Sequence, residues 1–396
     1  MLLRVPDFYR DFKCLADKCT DTCCVGWEID VDKRSLNKYK KWSNKITDNC
    51  SRDSIDEQRI KFAQKILANI EDRHFKLLPG DRCPFLTDDG LCEMICHLGC
   101  GGTDCDESGE NVLCDICREH PRFVEVYGDI MEKGLGLCCE EAVRLLLAHR
   151  RKEDPSKSST GIKFVETQVD DEPDEMPEGA QEARDAIFEE RNTIFSILNN
   201  TSVPLNQRLI EILDFAEAVS DDENMDKDNR GDNKEQALSH EDVKQSWIRI
   251  LEEGESFGPP WDAAYQRIIR RGTTPKDSQD KNPHKLFSDD DGARIIAYMI
   301  FRYYTKSLFD GDSLTKVQFS IYFWIVLKHF GNELSADTPE GADLMTRKIN
   351  AVKLLSKQTE YSEEIMEILA DNFYGNPAFS VDQFRRILSD ENAATC

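Results

Sequence analysis

The feature that most constrains this chain is where its cysteines lie. Of fifteen, all but Cys396 fall before residue 140. Four of them stand within the eleven residues from Cys14 to Cys24, two being adjacent in "CTDTCC". The set continues at Cys83 ("CPFL"), Cys92 ("GLC"), Cys114 and Cys117 ("LCDIC"), and Cys138–Cys139. A disulfide framework requires an oxidising compartment, whereas clustered thiols in a reducing one point to metal or redox chemistry. The opening stretch "MLLRVPDFYRDF" carries Arg4, Asp7, Arg10 and Asp11 inside any would-be apolar core, so we expect a cytoplasmic protein rather than a signal peptide or anchor. The most apolar run, "FSIYFWIVL" (319–327), is flanked by Lys316 and Lys328 and is far shorter than the ~20 residues that span a bilayer. It reads as a buried helix, and no membrane partner is expected.

A chain of 396 residues with 39% hydrophobic residues has room for two domains. Its formal charge of −25 disfavours nucleic acid, whose binding depends on clustered Lys and Arg. Composition divides the chain into a cysteine-rich region at 1–151, an acidic linker at 152–182 rich in Pro and Gly, and a helical domain at 183–396. Within that domain, 220–236 and 271–285 read as exposed polar loops.

Apolar residues at Ile187, Phe188, Ile194, Phe195, Ile197 and Leu198 mark one helical face, and "PLNQRLIEILDFAEAV" repeats the pattern after a helix-starting Pro204. Helices are also expected over "EDVKQSWIRILEE", "ARIIAYMIFRYYTKSLF", "SLTKVQFSIYFWIVLKHF", "DLMTRKINAVKLLSK" and "SEEIMEILADNF". The second and third of these are apolar nearly all round and belong at a bundle centre. "RFVEVYGDIMEKGLGLC" alternates enough for one hairpin about Gly128. The expected fold is mainly α: an irregular cysteine-rich metal-binding region followed by an all-helical bundle.

Thiolates bind zinc or iron–sulfur clusters, and either would fold a segment too loop-rich and charged to bury its own core. Adjacent cysteines cannot both face one centre without a turn, so one of Cys23 and Cys24 is a candidate for a second centre or for an outer position around the first. Paired CxxC zinc knuckles are absent, only Cys114 and Cys117 having that spacing, and the spacings leave zinc and iron–sulfur both open. "CHLGCGGTDCDESGEN", with Cys96, His97, Cys100 and Cys105, reads as an insertion, a plain loop in preference to an extra metal site. His120 reads as a packing residue rather than a ligand.

The blocks "PDFYRDFKCLADKCTDTCCVGWEIDVDKRSLNKY", "CPFLTDDGLC", "LCDICREHPR" and "LCCEEAVRLLL" resemble, in order and wording, the flagellin lysine-N-methylase family. The resemblance extends into the helical half and covers most of the chain outside the acidic loops. It implies transfer of methyl groups from S-adenosylmethionine to lysines of flagellin, with a [4Fe-4S] cluster held by N-terminal thiols. By position these are Cys14, Cys19, Cys23, Cys24, Cys83, Cys92, Cys114, Cys117 and Cys139. The chain departs from the family at Cys138, where a serine is usual, and in the insertion carrying Cys96, Cys100 and Cys105.

The residues alone do not establish a methyltransferase, because no glycine-rich dinucleotide loop follows a strand. Lysine methylation needs a neutral amine held by carboxylate and aromatic groups. Tyr303, Tyr304, Glu360 and Tyr361 are the candidates for that catalytic pocket, set against the plainer reading that such aromatics are core. Two other classes of function stay open: a zinc-stapled helical interaction scaffold, and a metal-chelating protein without catalysis.

Overall fold

The computed structural model describes residues 1–44, 54–98, 112–148, 162–222, 239–273 and 286–393. The chain divides into two units, one comprising residues 1–11, 124–138 and 142–396 and the other residues 12–123 and 139–141. This differs from the division expected from composition. The larger unit reclaims the chain's first residues, the hairpin and the helix Glu140–Ala148 from residue 142 onward, because these complete its sheet and core. Cys50, Cys100, Cys105 and Cys396 lie outside the described residues, as do most of the expected loops at 220–236 and 271–285.

In the larger unit the expected hairpin forms from Arg122–Tyr127 and Ile130–Leu135, with Gly128 at φ +69° in the turn. A Cβ on Gly128 would stand 2.6 Å from the Met176 sulfur, so glycine is required by both conformation and space. Two further strands were not expected. Leu2–Pro6 runs parallel to Ile130–Leu135, pairing Leu3 with Met131, and Phe164–Gln168 runs antiparallel to Leu2–Pro6 on its other side. Part of the expected linker is therefore a sheet strand, while residues 170–175 are exposed as expected.

Helices surround the sheet's charged centre. Arg191, on the helix Ala180–Leu198, donates to both oxygens of Glu132, at 2.7 and 2.5 Å. The two side chains are 1% and 2% exposed, and Arg4 adds a third bond to Glu132 at 3.2 Å. The rings of Phe188, Phe195 and Phe301 face the Arg191 guanidinium.

The mainly α expectation is borne out. At the bundle centre lies Ser313–Leu334, buried on nearly every side and capped where Asp312 accepts from the Thr315 amide. Around it pack Leu205–Asp222, Pro259–Thr273, Asp289–Tyr303, Leu344–Glu360 and Glu363–Gly375. Gly292 lets Asp289–Tyr303 come close, since a Cβ there would lie 2.4 Å from the Trp324 ring. Within the 183–396 region, Pro259–Thr273 and Val381–Ala393 escaped the sequence reading. In the first, "GPP" reads as a breaker, although proline belongs in a helix's first turn, where its missing N–H is not needed. Among the described residues no helix is long and apolar enough to cross a membrane.

The smaller unit corrects another expectation, for it buries a core of its own. Ile29, Val31, Tyr39, Phe62, Ile66, Phe75, Phe85, Leu86, Met94, Val112 and Leu113 pack together with Cys83 and Cys114. The loops between them hide this pattern in the sequence, which shows no continuous apolar run here. Asp32 joins two parts of the unit. Its Oδ1 caps Lys33–Ser43 through the Ser35 amide at 2.8 Å, and its Oδ2 accepts from the Asp115 amide at 2.9 Å.

Two predictions follow from buried charge and capping. Glu132→Leu should cost about 3–5 kcal/mol because it leaves a desolvated guanidinium without its carboxylate, whereas Glu132→Leu combined with Arg191→Met should recover much of the loss. Urea unfolding of the four-member cycle measures this, and additive losses would show the pair is not coupled. Burial would raise the Asp32 carboxyl, yet the amides of Asp115 and Ser35 hold it down at about 2, below its ordinary 3.8. The folded value is depressed, so the stabilisation is full above the ordinary value and is lost as pH falls through about 2. Asp32→Ala should therefore destabilise by about 1–2 kcal/mol at neutral pH, and the difference from wild type should vanish in strong acid.

Candidate functional site

In the smaller unit, five of the nine expected thiols share one neighbourhood. Residues Cys24 and Cys83 are brought together by backbone: the Cys83 amide donates to the Cys24 carbonyl at 2.8 Å, and Val25 bridges to Arg82. Cys92 follows a bridge between Leu86 and itself, and Cys114 caps the short helix Asp115–Glu119 that carries Cys117. Cys83 and Cys114 are buried, whereas Cys24, Cys92 and Cys117 pack at the core's edge. Cys24 lies within electrostatic reach of Cys83, Cys92 and Cys117, and Cys114 within reach of Cys83.

Two thiol pairs are hydrogen-bonded. The bond from Cys23 pulls Cys24 down to about 6 against the opposing effect of burial, helped by Thr22 and the charge of Arg82, while Cys23 moves up. Likewise the bond to Cys117 lowers Cys114, and the same bond with burial raises Cys117. Burial pushes Cys83 up to about 12 and also raises Cys92. Cys23 faces a different set, being influenced by Cys14 and Cys139. The adjacent cysteines thus look to different neighbours. Thr20 ties its segment to that of Cys139, its amide and hydroxyl donating to Glu140 at 3.1 and 2.6 Å. Cys19, the remaining expected thiol, is half-buried beside it.

The donors suit a thiophilic centre in chemistry. Their separations do not complete one: among the described residues, no three Cys, His, Asp or Glu side chains are grouped so as to hold a metal ion. His97 stacks on Phe62 with ring centres 4.8 Å apart, and His120 lies 6.1 Å from the Trp27 ring, so both make ring contacts.

The larger unit gathers most of the expected catalytic residues. Glu360 ends the helix Leu344–Glu360 with its side chain wholly buried. Its Oε2 accepts from Tyr303 at 3.0 Å, Tyr298 at 3.2 Å and Arg302 at 3.1 Å. Arg302 also donates to Tyr298 at 2.6 Å and to Tyr361 at 3.5 Å, and its guanidinium lies 5.3 and 5.1 Å from the Tyr303 and Tyr361 ring centres. Cys138 is hydrogen-bonded to Tyr361. Burial raises Tyr298, Tyr303 and Tyr361 well above their ordinary values, so all three are neutral phenols able to donate. Oε1 of Glu360 is buried and has no hydrogen-bond partner among the described residues.

Tyr304 is not part of this group. Where Asp289–Tyr303 tightens into a 3₁₀ turn, its side chain leaves the cluster and donates to Glu190 at 2.8 Å. Conversely, the sequence reading missed Tyr298 and Arg302. The available signal was an arginine in the otherwise apolar run "IIAYMIFRYY", one helical turn from Tyr298, since a buried charge requires a counterion. Arg302 lies over two of the rings expected to surround the substrate amine.

No protein-family profile matches the chain, and no solved structure matches it. Over 162 residues it is 27% identical to "Flagellar biosynthetic protein FliU" of Salmonella muenchen, covering 40% of this chain and 81% of that protein. Over 146 residues it is 27% identical to "Lysine-N-methylase" of Salmonella choleraesuis and, equally, of Salmonella typhimurium, covering 36% of this chain. That match spans 31% of each methylase's length. Over roughly a third of its residues, then, the chain has a distant similarity to lysine-N-methylases.

Proposed function

We propose that the chain is an S-adenosylmethionine-dependent protein-lysine N-methyltransferase acting on flagellin-type substrates. The observation that carries this reading is the similarity to lysine-N-methylases, and the FliU similarity supports a flagellar substrate. Glu360, Tyr303 and Tyr361, with Tyr298 and Arg302, are the residues we assign to the acceptor side. S-adenosylmethionine would supply an electrophilic methyl group on a sulfonium. Among the described residues the sheet has a single parallel pair, so a doubly wound cofactor fold does not hold it. Neutral phenols around Glu360 can orient an amine, and burial excludes water that would compete for hydrogen bonds.

We further propose that the thiols of the smaller unit hold a [4Fe-4S] cluster, zinc being the alternative. Support comes from the grouping of Cys24, Cys83, Cys92, Cys114 and Cys117 and from a second set at Cys14, Cys23 and Cys139. Binding would need more thiols drawn together than are grouped among the described residues. No catalytic step is assigned to the cluster.

Anaerobically prepared protein should contain iron and acid-labile sulfide, absorb near the blue end of the visible range, and add mass in methyl steps to a flagellin. Cys24→Ser and Cys114→Ser should each lose iron, and Cys396→Ser should retain it. Equal iron in all three would overturn the metal assignment. Metal-replete protein that neither binds S-adenosylmethionine in calorimetry nor methylates any flagellin of its own organism would overturn the enzymatic one.

A further inference from the structure

We propose that Oε1 of Glu360 is the acceptor for an N–H of an incoming primary amine, and that Arg302 makes the site take that amine in its neutral form. The inference rests on the methyltransferase reading and names the chemical state in which its substrate binds. Three donors converge on Oε2 and none on Oε1, although the whole side chain is shielded from solvent. A buried acceptor left without a donor costs about 1–3 kcal/mol, a penalty that a bound N–H removes. Of the groups around it, Arg302 is 12% exposed and Tyr361 half-buried, so these two are the cluster's contact with solvent.

Charge decides the form of the amine. The Arg302 guanidinium already balances Glu360, and Tyr298, Tyr303 and Tyr361 are neutral. Cys138 contacts Tyr361 as a hydrogen-bonding neighbour, and Lys306, 5.5 Å from the Tyr303 ring, is paired with Glu125 at 3.2 Å. Among the described residues, the groups named here leave no unbalanced negative charge at the site. An ammonium entering it would lose its hydration and meet a guanidinium, whereas a neutral amine can donate one N–H to Oε1 and keep its lone pair free. A free lysine titrates near 10.4, so only about one in a thousand is neutral at pH 7.4. Depressing that value by about two units raises the nucleophilic fraction roughly a hundredfold.

The test uses the full chain and n-butylamine labelled with carbon-13 at C1, whose chemical shift reports protonation. The bound amine should titrate about two or more units below the free amine, and Glu360→Gln should weaken its binding roughly tenfold. Arg302→Met should reverse the sign, because an unbalanced Glu360 favours ammonium, and the bound amine should then titrate at or above the free value. General loosening of the fold predicts no such reversal. An amine that does not bind the wild-type chain, leaving only water at Oε1, would overturn the proposal, as would one bound in its protonated form. Methylation of flagellin at an unaltered rate by Glu360→Gln would sink this inference while leaving the enzyme standing. Neutral-amine binding without methyl transfer to any flagellin would do the opposite.

Discussion

A single buried carboxylate organises the larger unit. Glu132 sits on a central strand, receives both ends of the Arg191 guanidinium from a helix, and is reached by Arg4 from the neighbouring strand. Arg4 in turn bonds Glu166 on the outer strand, so three strands and a helix are aligned through two guanidiniums. Such a group is a weak source of net stability, since desolvation offsets much of the attraction. Its value lies in geometry: a strand displaced by one residue would turn Glu132 to the other face and leave Arg191 buried without a counterion.

The elements that were legible in the sequence are those whose signal is local. The 313–334 helix announces itself by an apolar run with an aspartate cap, and the hairpin by alternation around Gly128. Leu2–Pro6 and Phe164–Gln168 were hidden for the opposite reason. Each has a charged residue near its middle, Arg4 and Glu166, which reads as solvated until the partner strand supplies the ion pair. The core of the smaller unit was obscured because its residues come in ones and twos from short helices, turns and bridges, too few in any window to mark a long periodic face.

The candidate sites divide in the same way. Clustered cysteines are visible as composition, and their grouping around Cys24 agrees with a reading in which Cys23 and Cys24 face different neighbours. The tyrosine cluster was legible only in part. Tyr303 and Glu360 are brought together by helix packing, while the next residue, Tyr304, is carried away by a change of helical pitch that propensity does not foretell. Arg302 was not legible because its counterion, Glu360, comes from a distant helix and is supplied only by packing.

The order of the strands bears on how the chain is made. Leu2–Pro6 precedes both of its sheet neighbours in the chain, and they begin only at residues 130 and 164. Between them comes nearly all of the smaller unit, residues 12–123, which has its own core. At ordinary rates of translation the opening strand waits on the order of 10 s with both edges unpaired, while the inserted unit can already collapse behind it. Arg4, set in the middle of that strand, is thus also a guard: a charge on a nascent edge discourages pairing with another chain until Glu132 and Glu166 arrive to receive it.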